Sequence, residues 1–131
     1  MGSTVPIGAT RRLACAPGAR RLRFAACPDR SLAGRAYTDQ FETPHLVGGL
    51  DPVAAERAAT LFADLAPVVR TRDPETAEAI KLFANVARDV QFALANQFAI
   101  LCEAAGIDAS EVLAAGAEGY PRFRLERPGP V

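Results

Sequence analysis

The stretch Pro74–Gly106, PETAEAIKLFANVARDVQFALANQFAILCEAAG, decides the fold of this chain. Apolar side chains recur through it at helical spacing and form one stripe, which comprises Ile80, Phe83, Ala87, Val90, Leu94, Phe98 and Leu101. Asp73-Pro74-Glu75 is a typical helix start, and Gly106 is a typical helix end. The pattern predicts one helix over residues 74–105, which is about 48 Å long at 1.5 Å per residue. Because this exceeds the diameter of a small globule, we expect the helix to bridge two structural units or to lie in a subunit interface.

The rest of the chain predicts short strands and two further helices. Asp51-Pro52 is a second helix start, followed by apolar residues at helical spacing as far as Leu65, and Asp108 is predicted to cap a short helix over residues 109–115. Candidate strands are residues 3–5, 22–26, 46–47 and 68–69. The predicted fold class is mainly α, an α+β chain in which a few strands lead into helices.

The composition excludes several classes of protein. The 131 residues carry 15 basic and 15 acidic side chains, so the formal net charge is zero and a generic nucleic-acid binder is not expected. No apolar run reaches the length that spans a bilayer, and the first ten residues do not resemble a secretion signal. These features predict a cytoplasmic protein with no nucleic-acid or membrane partner.

The cysteines and the histidine do not predict a metal site. Cys15, Cys27 and Cys102 are too widely spaced for a zinc pair, and their odd number fits no disulfide framework. We expect them to be free, buried thiols. His45 is the only histidine, so we predict no metal ligands in this chain.

Three polar side chains share one face of the long predicted helix. Lys81, Asn85 and Arg88 stand at i, i+4 and i+7, within about 40° of one another around the axis. Together they could hold a carboxylate, a phosphate or a developing oxyanion. Alternatively, they form a solvated stripe in which Glu78 and Asp89, as surface carboxylates, are their ion-pair partners.

Five motifs follow one another along the chain. They are STVPIGAT at 3–10, CPDRSLAG at 27–34, LVGGLDP at 46–52, EAIKLFANVARDV at 78–90 with ALAN at 93–96, and YPR at 120–122 with PGP at 128–130. In this order they resemble S-T-V-P-x-G-T-T, C-P-E-R-x-x-x-G, V-G-G-x-D-P, E-x-x-K-L-x-x-N-x-x-R-D-V-x-x-A-x-x-N-E and H-P-R with P-G-P. These are motifs of the UDP-glucose/GDP-mannose dehydrogenase family, and the match is closest to its UDP-N-acetylmannosamine-type branch.

The resemblance implies an activity and a set of site residues. The family oxidises the C6 alcohol of a UDP-sugar twice, to the carboxylate, with NAD as cofactor. Lys81 would then be the catalytic lysine that steadies the oxyanion, Asn85 would bond the same oxygen, and Asp29, which stands where the family has glutamate, would act on water and protons. Thr4 would lie beside the cofactor. The implied substrate-binding residues are Arg88, Arg122, Pro128 and Gly129.

The resemblance also divides the chain into three parts. Residues 1–50 correspond to the end of the NAD-binding domain, with remnant strands of a Rossmann-like sheet. Residues 51–119 correspond to the central helical dimerisation domain, and residues 120–131 to the start of the substrate loop. The implied partner is a second copy of the chain or a full-length relative.

Two functional hypotheses remain open. The chain contains no G-x-G-x-x-G fingerprint, and it reaches Val131 just before the G-G-x-C segment that holds the family's nucleophilic cysteine. In the first hypothesis it is part of an NAD-dependent nucleotide-sugar 6-dehydrogenase and is inactive alone. In the second it is a non-enzymatic helical dimerisation module.

Overall fold

The structure is a computed structural model that describes residues 6–19, 22–123 and 125–129. The chain divides into two compact units, Met1–Phe83 and Ala84–Val131. The elements are α1 (Ala9–Ala14), β1 (Ala25–Ala26), α2 (Ala36–Glu42), β2 (His45–Gly49), α3 (Pro52–Ala63), β3 (Val68–Arg70), α4 (Pro74–Ala105) and α5 (Ala109–Ala117). The prediction of a mainly helical α+β chain is confirmed.

A three-stranded sheet in the order β1-β2-β3 forms the centre of the first unit. β1 pairs antiparallel with β2, with Ala25 opposite Gly49, whereas β2 runs parallel to β3, with His45 opposite Val68. Parallel strands need a crossover connection, and α3 provides it. Val47, in the central strand, is completely buried and belongs to the core of this unit.

Helix α3 packs closely on β2. Its start is the predicted one, since the Asp51 carboxylate accepts a hydrogen bond of 2.9 Å from the backbone N–H of Ala54. Small residues allow the close approach: Ala54 is buried, and a Cβ atom on Gly49 would lie only 2.3 Å from the backbone nitrogen of Ala55. Gly49 is therefore required by packing rather than by a turn.

Helix α4 has the predicted bounds and contributes residues to both units. At its start, Asp73 Oδ1 accepts hydrogen bonds from the backbone N–H of Thr76 at 2.8 Å and from its hydroxyl at 2.6 Å. At its end, Gly106 adopts a left-handed conformation with φ 67°, which glycine tolerates without strain. Local signals at its two ends thus account for both bounds of the longest element.

The second unit contains the rest of α4, α5 and the segment from residue 120 onward, which we call the tail. Asp108 caps α5 by accepting a hydrogen bond from the backbone N–H of Ser110, and the helix ends two residues beyond the predicted residue 115. The ring of Phe123 stacks on Phe98 of α4 with centroids 6.4 Å apart. A Cβ atom on Gly116 would lie 2.6 Å from the Phe123 ring, so the tail packs directly on α5.

Several predictions for the first fifty residues are wrong. β1 covers only Ala25–Ala26 of the predicted residues 22–26, and β2 covers His45–Gly49 rather than residues 46–47 alone. The short helices α1 and α2 are not among the predicted elements. Helices of six and seven residues are marginal by themselves and depend on tertiary contacts that local patterns do not encode. The predicted strand at residues 3–5 lies outside the described residues.

The strand predicted at residues 68–69 is confirmed and extends to Arg70. In the part of the chain that the structure describes, no helix has the length and apolar character needed to cross a membrane.

Candidate functional site

Asp29 and Lys81 lie within electrostatic reach of one another in the first unit. The Asp29 carboxylate accepts hydrogen bonds from the backbone N–H of Ser31 at 2.9 Å and from its hydroxyl at 2.8 Å. These bonds hold the pKa of Asp29 below its usual value, and the positive charge of Lys81 lowers it further. Lys81 is half-buried on α4, whereas Asp29 is exposed. The hydrogen bonds from Ser31 are thus the main cause of the lowered pKa of Asp29, and Lys81 makes a smaller contribution without a hydrogen bond or ion pair to it within 4 Å.

A shallow depression that is open to solvent lies beside Asp29 and is lined by residues 28–31, 39–40 and 43–45. Arg30 donates one hydrogen bond to the carbonyl of Pro44, and its buried Nε has no partner among the described residues. The His45 ring is bonded to the carbonyl of Gln40 and stacked on Phe62. His45 is thus held in the wall of the depression by contacts at its ring nitrogen and its ring face.

Glu78 does not lie on a solvated surface stripe. It is only 4% exposed, and its carboxylate accepts hydrogen bonds from the backbone N–H groups of Gly8 at 2.5 Å and Thr10 at 2.8 Å, and from the Thr10 hydroxyl at 2.7 Å. Its pKa stays below the usual value although burial opposes ionisation, because these three donors favour the charged form. The expectation of a surface ion-pair partner was wrong, because residues 6–14 cover this side of the helix.

The cations of the proposed polar face are not neutralised by close carboxylates. Among the ion pairs of the described residues, none within 4 Å involves Lys81 or Arg88. Asn85 follows Lys81 by one helical turn and is half-buried, and Arg88 is exposed; both belong to the second unit. The alternative in which Glu78 and Asp89 pair with this face is therefore not what the structure has.

The residues predicted to bind substrate lie in the second unit, in different surroundings. Arg122 is exposed, and Pro128 and Gly129 are half-buried. The backbone of Gly129 is bonded twice to the side chain of Asn96: its N–H donates to Oδ1 at 2.8 Å, and its carbonyl accepts from Nδ2 at 2.9 Å. The tail is thereby attached to α4 at a defined residue.

Other predictions fall outside the described residues or differ from the structure. Thr4 lies outside the described residues. The expectation of buried thiols is wrong, since Cys15 and Cys27 are exposed and Cys102 is half-buried. Within residues 6–19, 22–123 and 125–129, no group of three or more His, Cys, Asp and Glu side chains could hold a metal ion.

Sequence reasoning missed two residues, Glu78 and Asn96. Both stand in the quoted motifs, Glu78 as the first residue of EAIKLFANVARDV and Asn96 as the last of ALAN. Their presence in those motifs was a signal, but their partners are 68–70 and 33 residues away in the chain. Spacing along one helix contains no information about such partners.

Comparison with known proteins gives a consistent result. Residues 75–130 match the central domain of the UDP-glucose/GDP-mannose dehydrogenase family. The chain is 31% identical over 129 residues to a UDP-N-acetyl-D-mannosamine dehydrogenase of Methanococcus maripaludis, which covers 98% of this chain and 30% of that relative. It is 33% identical over 146 residues to an NDP-N-acetyl-D-galactosaminuronic acid dehydrogenase of Ralstonia nicotianae, with 98% of this chain and 34% of the relative covered.

Solved structures agree with the sequence comparison. A UDP-D-ManNAc dehydrogenase from Pyrococcus horikoshii superposes with a TM-score of 0.83 at 30% identity, covering 96% of this chain and 32% of that one. A UDP-N-acetyl-mannosamine dehydrogenase from Staphylococcus aureus gives 0.70 at 28% identity, covering 82% and 26%. The chain thus spans about a third of the length of the relatives that it matches.

Proposed function

Because this chain belongs to the UDP-glucose/GDP-mannose dehydrogenase family, we propose that it holds the reacting oxygen of a sugar in an NAD-dependent nucleotide-sugar 6-dehydrogenase. The observation that supports this proposal is that Lys81, half-buried on α4, has no carboxylate ion-pair partner within 4 Å among the described residues, while its positive charge contributes to the lowered pKa of Asp29. In this proposal the Lys81 ammonium and the Asn85 amide bond the C6 oxygen. Asp29 orients water by accepting a hydrogen bond from it.

The charge arrangement supports these roles. No carboxylate oxygen of the described residues lies within 4 Å of the Lys81 ammonium in an ion pair, so its donors are available to an oxygen that gains negative charge. The lowered pKa of Asp29 keeps its carboxylate ionised at neutral pH, where it can accept a hydrogen bond from water. Family resemblance adds Arg88, Arg122, Pro128 and Gly129 as substrate-binding residues for a UDP-sugar.

Neither glycine of β2 offers a cradle for the phosphates of a dinucleotide. The two glycines of β2 are closed in by packing: a Cβ atom on Gly48 would lie 2.4 Å from the carbonyl oxygen of Asp73, and Gly49 lies against Ala55. With no G-x-G-x-x-G in the 131 residues, we expect no tight NAD binding by this chain alone. We accordingly expect the purified chain to form no NADH from UDP-glucose or a UDP-N-acetylhexosamine above a no-protein control.

The test is a graft into a complete relative. Residues 1–131 replace the matching segment of the Pyrococcus horikoshii enzyme, and NADH formation is followed with UDP-N-acetylmannosamine. Lys81→Ala should lower turnover more than about tenfold, since the loss of one oxyanion donor costs roughly 3 kcal/mol. Glu103→Ala, at an exposed position of the same helix, is the matched control and should leave turnover unchanged. Equal turnover in the two variants would contradict the catalytic role of Lys81.

A second candidate function is that of a helical dimerisation module. Val86, Val90, Leu94 and Leu101 of α4 are 42–64% exposed, and at 100° per residue they fall within about 80° of one another. An exposed apolar stripe of this kind is typical of a subunit interface. This observation supports a homodimer, or pairing with a full-length relative, built on the part of the chain proposed as residues 51–119.

Sedimentation distinguishes the oligomeric states. We expect a species of twice 13.9 kDa at micromolar concentration and expect Val90→Asp to shift it toward the monomer, because a charge on the stripe cannot be buried without a partner. A 13.9 kDa species alone in the unmodified chain would contradict the homodimer.

We place the protein in the cytoplasm, as its sequence predicts.

A further inference from the structure

The side-chain amide of Asn96 makes two hydrogen bonds to the backbone of a single residue, one through its oxygen and one through its nitrogen. Asn96 Oδ1 accepts from the Gly129 N–H at 2.8 Å, and Asn96 Nδ2 donates to the Gly129 carbonyl at 2.9 Å. Both distances are those of well-formed hydrogen bonds. Asn96 is half-buried on α4, and 33 residues separate the two partners along the chain.

The chemistry of this contact requires an amide. Asparagine offers one acceptor and one donor at the end of a short side chain, which matches the donor and the acceptor of one backbone residue. A residue in an antiparallel strand exchanges the same two bonds with its partner. Ionised aspartate has no donor for the Gly129 carbonyl, so its second oxygen would repel that carbonyl and open the paired contact.

The contact does not require glycine at residue 129. Its φ is not in the left-handed region, and a Cβ atom there would meet only the carbonyl oxygen of Arg127, at 3.9 Å. Asn96 thus binds the backbone at this point of the tail whatever the side chain of residue 129. The tail has a second attachment, because Phe123 packs on Gly116 and stacks on Phe98.

We propose that Asn96 is a positioning residue that fixes the path of the tail through Gly129. Its importance for catalysis rests on the proposed function, in which Pro128 and Gly129 contact the substrate. Asn96 does not touch the reacting atoms in this proposal. It fixes the tail to α4 at Gly129, and the contact of Phe123 is the other point of attachment.

The test measures amide hydrogen exchange of Gly129 by NMR in the full 131-residue chain. In the unmodified protein we expect exchange slowed about tenfold or more relative to an unstructured glycine, because its N–H is bonded. Asn96→Asp at pH 7 should abolish most of this protection, since the carboxylate repels the Gly129 carbonyl. As the pH falls below the carboxyl pKa, the protonated acid can donate to that carbonyl, and protection should return.

Two variants serve as matched controls. Gln97→Glu makes the same amide-to-acid change at the next, exposed position of α4 and should leave the protection of Gly129 unchanged at every pH. Gly129→Ala keeps both backbone groups and should keep the protection of residue 129. The contact between the Phe98 and Phe123 rings reports separately whether the second unit stays folded in each variant.

The outcomes separate this inference from the proposed function. An unprotected Gly129 amide in the unmodified chain overturns the positioning role, as does an equal effect of Asn96→Asp and Gln97→Glu. A protected amide that depends on Asn96 supports it even if Lys81→Ala has no effect on turnover in the grafted enzyme. That second result would contradict only the catalytic proposal.

Discussion

Replacement of Glu78 by alanine should destabilise the first unit strongly. The carboxylate is 4% exposed and accepts three hydrogen bonds, two of them from backbone N–H groups at the start of α1. Those N–H groups have no partner within the helix, and a carboxylate at a helix N-terminus also interacts favourably with the helix dipole. The side chain therefore joins two segments that are about 70 residues apart in the sequence.

The magnitude follows from the number and the type of bonds. A hydrogen bond to a charged group contributes about 1.5 kcal/mol or more, and water entering the space left by the side chain restores part of the loss. We expect Glu78→Ala to lower the free energy of unfolding by about 3 kcal/mol. Alanine is the best helix former, so weakening of α4 itself does not contribute. At a urea dependence of about 1.5 kcal/mol per molar, the midpoint should fall by roughly 2 M.

The assay is urea unfolding by circular dichroism, with exchange of the Gly8 and Thr10 amides as a local measurement. Glu103→Ala makes the same change at an exposed position of α4 and should stay within about 0.5 kcal/mol of the unmodified chain. Because folding lowers the pKa of Glu78, its stabilisation is present above the ordinary glutamate pKa and is lost as the pH falls through the folded value. The difference in free energy of unfolding between Glu78→Ala and the unmodified chain should therefore shrink in acid. Equal urea midpoints for Glu78→Ala and Glu103→Ala at pH 7 would refute the reasoning.

Two further predictions concern packing and capping in the first unit. Gly49→Ala should lower the free energy of unfolding by about 3 kcal/mol, measured by thermal unfolding, because its Cβ would overlap the backbone of α3. Gly129→Ala, where a Cβ has space, should lower it little. Similar losses of stability in the two variants would argue against the close contact at Gly49. The hydroxyl and backbone N–H of Thr76 and the nearby Arg72 hold the pKa of Asp73 at about 2, so its stabilisation is present above the usual aspartate pKa and lost as the pH falls toward 2. Asp73→Asn should flatten the fall in melting temperature between pH 4 and pH 2, and an unchanged slope would contradict this assignment.

The elements that the sequence predicted well are those with local signals. The starts of α3, α4 and α5 are fixed by Asp51, Asp73 and Asp108, each of which bonds an N–H two or three residues further on. Such a cap can be recognised from a few neighbouring residues. α1 has no side-chain cap of its own, and its first N–H groups are bound by Glu78 from a distant part of the chain. A local pattern could not have predicted it.

The same distinction applies to the candidate site. Lys81 and Asp29 were predicted as site residues because they stand in recognisable motifs, and the positive charge of Lys81 contributes to the lowered pKa of Asp29. Glu78 and Lys81 are three residues apart on one helix, so spacing alone assigned both to a solvated face. In the structure residues 6–14 cover Glu78, and Lys81 stays half-exposed. Helical periodicity says which residues are neighbours on a helix, but it does not say what covers them.

The motifs shared with the family differ in whether packing explains them. A Cβ on Gly48 would lie 2.4 Å from the Asp73 carbonyl and 2.6 Å from Thr71 Oγ1, and one on Gly49 would overlap α3, so the LVGGLDP motif allows β2 to lie directly against its neighbours. That motif is explained by packing without any ligand. Lys81 has no such explanation, because neither an ion pair within 4 Å among the described residues nor a buried environment accounts for it. Under the proposed function, a chain that keeps the glycines but lacks Lys81 should keep this fold and lose turnover in the grafted enzyme. Lys81→Ala therefore tests the proposed role of Lys81 separately from the fold.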